Sequence, residues 1–254
     1  MISKIDRILC AATVVILASL IPVIIWSCAT KNSDISNWII ALANVAMAVA
    51  AFAAYRKASQ YLNEFFSKEG YTLAIRMVNE NLLNLNRNNI LYERTASFYA
   101  FYSGLNGIQP SSSKLLHIQT RIQLFNKVRT QHHEILSNCE RLSIQMLSYG
   151  IEAVKTRKHA LITIITSLQK CLKFADQLEL YVMTDFEDYK MAVADKTKQS
   201  QPFYLNNVQS ATDVMSALNK EWNIMVTGYD KFFQGQEERH IQDLFCLKKG
   251  DRRR

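Results

Sequence analysis

Two apolar runs stand at the head of the chain, and after them apolar and polar positions alternate at helical spacing. Residues 8–28, ILCAATVVILASLIPVIIWSC, hold no ionisable group except thiols; residues 38–55, WIIALANVAMAVAAFAAY, are apolar except for Asn44. The first run exceeds the roughly 18 apolar residues that a spanning helix needs. The second covers about 27 Å at ~1.5 Å per residue, close to a hydrocarbon core of about 30 Å. Both predict transmembrane helices rather than buried core helices. Trp26 and Trp38 flank the linker ATKNSDISN, and Tyr55 precedes Arg56 and Lys57. Rings and cations of this kind anchor helix ends at opposite interfaces.

Lys4 and Arg7 before the first run also describe a secretory leader. The run is longer than a leader's apolar region, however, and the IWS before Cys28 puts a bulky ring where cleavage needs small residues. Cations outside the spans set the orientation: Lys4, Arg7, Arg56 and Lys57 lie on one side, while the linker holds Lys31 and Asp34. The expectation is a hairpin in residues 1–57 with both termini cytoplasmic. The short linker leaves no room for an external sensing domain.

In such a hairpin Pro22 and Asn44 lie at about equal depth. Pro22 frees the carbonyl of Ala18, and Asn44 is able to donate to a freed acceptor, a staple worth on the order of 1 kcal/mol. Alternatively Asn44 belongs to a polar ring inside an oligomeric pore. Ala46, Ala50 and Ala54 form a small-xxx-small stripe that permits close packing within the hairpin or between subunits.

Residues 58–247 read as a helical bundle. The second span continues into a helix that bends near Gly70, followed by six asparagines within residues 79–89 and a breaker cluster, GLNGIQPSSS, with Ser113 as N-cap of the next helix. In residues 114–149 Leu115, Ile118, Ile122, Phe125, Leu136, Cys139 and Met146 share a stripe that Arg129, His132 and Ser143 interrupt. Leu124, Val128, Ile135 and Leu142 add a second face, which makes this helix central to the bundle or an interface to another subunit. Gly150 separates it from a helix with Ile164, Leu168, Cys171, Ala175, Leu178, Val182, Phe186 and Tyr189 on one face. A loop, KTKQSQPFYLNN, precedes helices at about 208–233 and 237–247. Long antiparallel helices with short connections make a bundle.

Composition agrees with an all-α chain: 254 residues contain 7 Gly and 3 Pro. Lys and Arg exceed Asp and Glu by 30 to 22, for a net charge of +8 that favours anionic partners. Part of the excess is a tail, residues 248–254, with Lys248, Lys249, Arg252, Arg253 and Arg254. It is a solvated end, or it attracts lipid headgroups or a nucleic-acid backbone. Five cysteines without CxxC spacing argue against zinc or a disulfide framework; Cys139, Cys171 and Cys246 read as reduced thiols.

No catalytic motif emerges. None of the five histidines has an arginine five to seven positions upstream, which excludes the Arg-x4–6-His signature of HEPN-type ribonucleases. His132 and His133 point about 100° apart on a helix and cannot form an i,i+4 metal pair. A phosphate loop, a GxSxG elbow and HExxH are absent. Asp185 and Asp188 share a helix face and read as a solvated acidic stretch. No catalytic residue, metal ligand, cofactor or small-molecule substrate is expected.

Residues 37–62, NWIIALANVAMAVAAFAAYRKASQYL, together with two close-set spans and a large helical body, resemble the small transmembrane effectors of bacterial anti-phage systems, including those paired with retrons. The resemblance implies an inner-membrane location and a body held inactive by a cytoplasmic protein or ribonucleoprotein complex. It further implies that release or oligomerisation of the spans permeabilises the bilayer. The rival expectation is a membrane-anchored adaptor whose bundle binds protein and whose hairpin only tethers it.

Overall fold

The computed structural model describes residues 33–195, 197–234 and 240–247, with positions 19, 21, 22, 25 and 26. Most of the expected first span and the whole basic tail lie outside these residues. The chain divides into two units, Met1–Phe65 and Phe66–Arg254. The first described helix, α1 (Ser33–Arg76), contributes to both.

The second unit is a helical bundle. Its elements are the end of α1, a π turn (Met77–Asn81), a 3-10 turn (Leu82–Leu85), α2 (Ile90–Ser103), α3 (Ser112–Ser148), α4 (Lys155–Ala194), α5 (Val208–Phe233) and a single turn, α6 (Ile241–Leu244). Gly150, at φ +74, ends α3 in a turn that only glycine adopts without strain. The chain then enters β1 (Ile151–Ala153), which pairs antiparallel with β2 (Phe245–Leu247).

Helix α1 runs unbroken through Gly70. A Cβ there would sit 2.4 Å from Cγ1 of Ile151, so the glycine serves close approach to the turn after α3. The helix breaks later, in the π and 3-10 turns, and the asparagines repair that break. Asn84 Nδ2 donates to the Glu80 carbonyl at 2.8 Å, Asn86 Nδ2 to Leu83 at 3.2 Å, and Asn86 Oδ1 accepts from the Asn88 amide at 2.9 Å. Poor helix formers are favoured here because their side chains replace lost backbone partners.

Ser111, not Ser113, caps α3: its backbone is extended and its Oγ accepts from the Lys114 amide at 3.4 Å. Ser113 is already helical, so its own amide lies inside the first turn. The expected helix at 237–247 is the single turn α6 followed by strand β2. Phe245 is fully buried beside Phe232, and pairing with β1 satisfies the backbone that carries it inward.

The central helix is α4 rather than α3. It packs on α2, α3, α5 and β1, and it pairs antiparallel with α5, as Asp185 meets Asn207 near one end and Thr163 meets Gly228 near the other. On α3, Val128 and Leu142 are buried and Ile135 is half-buried, but Leu124 is exposed. The apolar interior forms two clusters, one with Met77, Leu142, Ile164 and Phe232, the other with Phe98, Phe125, Leu178 and Leu218.

Candidate functional site

Within Asn37–Ser103 one helix is long and apolar enough to cross a membrane, and none of its apolar window is buried. Trp38 and Tyr55 are each 71% exposed. Arg56 and Lys57 continue α1 as exposed helical residues. Pro22 and Trp26 are helical and exposed; Lys248, Lys249, Arg252, Arg253 and Arg254 lie outside the described residues.

Half-covered positions on this stretch recur at Ile39, Leu42, Ala46, Val49 and Ala53. This 3-4 spacing marks one face of α1 as a seam, the pattern that a left-handed helix pair buries. At about 100° per residue Asn44 lies roughly 180° from the seam. It is exposed, and its side chain makes no hydrogen bond among the described residues. The Ala46/Ala50/Ala54 stripe divides: Ala46 is on the seam, whereas Ala50 and Ala54 are exposed. An i,i+4 row drifts by about 40° per step, which carries it off a straight seam. A second stripe, missed in the sequence, shares the face of Asn44: Asn37, Ala41, Ala48, Ala51 and Tyr55, again at 3-4 spacing and all exposed.

The bundle holds three buried or half-buried polar centres. Near the break after α1, His132 is 3% exposed, with Nδ1 2.7 Å from the Val128 carbonyl and Nε2 3.0 Å from Asn89 Oδ1. Burial lowers its pKa from the ordinary histidine value and His133 adds to that, against the raising effect of the Val128 carbonyl. Arg129 links α3 to α4 through Asp176 at 2.5 Å and Glu179 at 2.7 Å, and His133 reaches the same Asp176 oxygen at 3.2 Å. Held between two carboxylates, the guanidinium is a structural clasp.

The third centre corrects the solvated reading of the acidic stretch. Asp185 is 1% exposed and accepts from the Tyr102 hydroxyl, the Asn206 amide at 3.2 Å, and Asn207 through its amide at 3.1 Å and side chain at 2.9 Å. Asp188 accepts from Asn206 Nδ2 at 3.0 Å. These carboxylates tie the loop after α4 to the start of α5. Burial, followed by the hydrogen bond to Asp185, raises the Tyr102 phenol far above its usual value.

Among the described residues no group of three or more His, Cys, Asp or Glu side chains is placed to hold a metal ion. Two grooves stand apart from the polar centres. One, of about 520 Å³, is apolar and exposes Ile144, Leu147 and Ile162 beside Met77 and Phe245. The other runs along the outer seam of α4 and α5 and mixes apolar wall, including Ala160 and Ile224, with Lys, Thr, Asn and His side chains.

No family model, no curated protein and no solved structure matches this chain.

Proposed function

We propose that this chain is a multi-pass effector of the bacterial inner membrane, of the anti-phage kind, with a two-helix hairpin and both termini in the cytoplasm. In this reading the bundle is a non-enzymatic cytoplasmic body. A cytoplasmic protein or ribonucleoprotein complex restrains it, and released copies associate through their spans to permeabilise the bilayer.

The observation that carries the reading is the position of Asn44, exposed and on the face opposite the half-covered seam. An amide facing lipid is costly, and partners across a helix interface remove the cost. A staple to Pro22 inside the hairpin requires Asn44 on the seam, which its angular position disfavours. Small residues at 41, 48 and 51 flank Asn44 and allow a second helix to approach closely, so the polar ring is the role assigned to it. Two helices from one chain cannot line a pore, so activity requires an oligomer.

The adaptor reading has its own support in the apolar groove of the bundle, where Ile144 is 69%, Leu147 55% and Ile162 54% exposed. Exposed apolar patches of this kind suit protein contacts. One experiment separates the two. Induced expression with a potential-sensitive dye and an impermeant DNA stain should report depolarisation, and Asn44→Leu should abolish it while membrane levels stay constant. Full activity after exchange of both spans for an unrelated hairpin would overturn the effector reading and leave the adaptor.

A further inference from the structure

Charge is distributed unevenly along the α4/α5 pair. The first half of α4 carries Lys155, Arg157, Lys158, Lys170 and Lys173, and its first carboxylate is Asp176. On the facing half of α5 the carboxylates are engaged: Glu221 by Lys170 at 3.0 Å and Ser167 at 3.3 Å, Asp230 by Arg87 at 2.8 Å. Arg157 is occupied as well, donating to the carbonyls of Phe232 and Gln234.

Among the described residues, positive charge without a carboxylate is left in the groove along this seam. It measures about 690 Å³, and among the described residues no Asp or Glu lines it. Lys220 and Lys231 stand on the α5 wall, three turns or about 16 Å apart, and neither belongs to an ion pair among the described residues. Between them Asn223 spends its amide N–H groups on Asn219, leaving Oδ1 as an acceptor, and Thr227, whose hydroxyl donates to the Asn223 carbonyl, presents its oxygen as a second acceptor. On the α4 wall Thr156 and His159 occupy the first turns of a helix whose N-cap, Val154, supplies no side-chain cap. The Arg157 and Lys158 amides are spent on the Val154 carbonyl, so what α4 adds to the cations at that end is the positive end of its dipole. Gly228 brings the two helices together beneath the groove, since a Cβ there would lie 3.1 Å from Thr163 Cγ2.

We propose that this groove binds a phosphate ester of nucleotide size. The phosphate lies at the end formed by Lys231, His159 and Thr156, with the polar body of the ligand along Thr227 and Asn223 toward Lys220. Hydroxyl, amide and ammonium groups spread over this length match an elongated ligand that is anionic at one end and hydrogen-bonding along its body. The volume falls within the roughly 300–1,000 Å³ of small-molecule sites. A ligand here would bridge α4 and α5, the pair that builds the centre of the bundle. The assignment does not depend on membrane activity, because binding is read on purified chain and depolarisation in cells.

Equilibrium dialysis of the detergent-solubilised full chain against labelled ATP and AMP tests it, with inorganic phosphate and a single-stranded 20-mer as competitors. Saturable binding of a nucleotide is expected, weakened at least about tenfold in the Lys220→Gln/Lys231→Gln variant and unchanged in Lys190→Gln. Both altered lysines are exposed, so an unchanged melting temperature separates lost binding from lost folding. Millimolar inorganic phosphate should compete. Absence of saturable nucleotide binding, equal binding by the double variant, or binding of the 20-mer alone would each overturn the assignment.

Discussion

Nε2 of His132 lies 3.0 Å from Oδ1 of Asn89, the oxygen that also accepts the Leu91 amide at 2.7 Å and so caps α2. Asn89 Nδ2 donates to the Asn84 carbonyl, which holds the amide in that orientation. With Nδ1 against the Val128 carbonyl, both ring nitrogens meet acceptors. A neutral imidazole has one N–H to give, and burial opposes the second proton.

A pH dependence of stability follows. The folded pKa of His132 lies below the ordinary 6.5, so between the two values the unfolded chain binds more protons than the folded one. The contribution is complete above about 6.5 and is lost as pH falls toward the lowered folded value. Melting temperature between pH 7.5 and 5 should fall more steeply in the wild type than in His132→Gln. Parallel curves would assign the dependence to another group.

Asp185→Ala should be among the most damaging substitutions in the bundle. It strands the Tyr102 hydroxyl and the amides of Asn206 and Asn207, and hydrogen bonds to a charged group contribute about 1.5–3 kcal/mol each before rearrangement. A loss of about 3 kcal/mol or more by denaturant titration is expected, with Tyr102→Phe costing about half of that. A loss below about 1 kcal/mol would mean that water replaces the carboxylate easily.

Gly70→Ala tests the close approach between α1 and the turn after α3. Alanine favours a helix by about 1 kcal/mol over glycine, yet its Cβ would stand 2.4 Å from Ile151 Cγ1 and 3.1 Å from Tyr149 Cβ. Ile151 is fully buried and β-branched, so relief requires backbone movement. Overpacking of about 1–3 kcal/mol should outweigh the propensity gain. Stabilisation by this substitution would show that the turn moves freely.

Cys139 and Cys171 are buried free thiols whose pKa values burial pushes up to about 12. Thiolate is the reactive form. Maleimide labelling read by peptide mass spectrometry should leave both unmodified in the native chain at pH 7.5 and modify both in denaturant. Cys246, half-exposed at the edge of the β1/β2 pair, should label natively. Rapid native labelling of Cys139 would indicate local opening of the α3/α4 packing.

Helical periodicity alone made the long helices legible. The apolar spacings of Ile118, Ile122 and Phe125, and of Ile164, Leu168 and Cys171, are local properties that any packed bundle must bury. The apolar stretch within α1 was legible for the same reason, since length and composition suffice. Other features depend on partners distant in sequence. Asp185 reads as one more charge on a solvated face until Tyr102, 83 residues away, and the loop at Asn206 close over it. Phe245 leaves the helical pattern because β1, nearly a hundred residues earlier, offers its backbone a partner. Gly70 reads as a hinge until Ile151 fills the space where a side chain would stand. Periodicity determines which face of a helix is buried, but only packing decides what meets that face. Each polar group's role follows from that second step, because an unpaired buried charge or amide is costly and a paired one ties elements together.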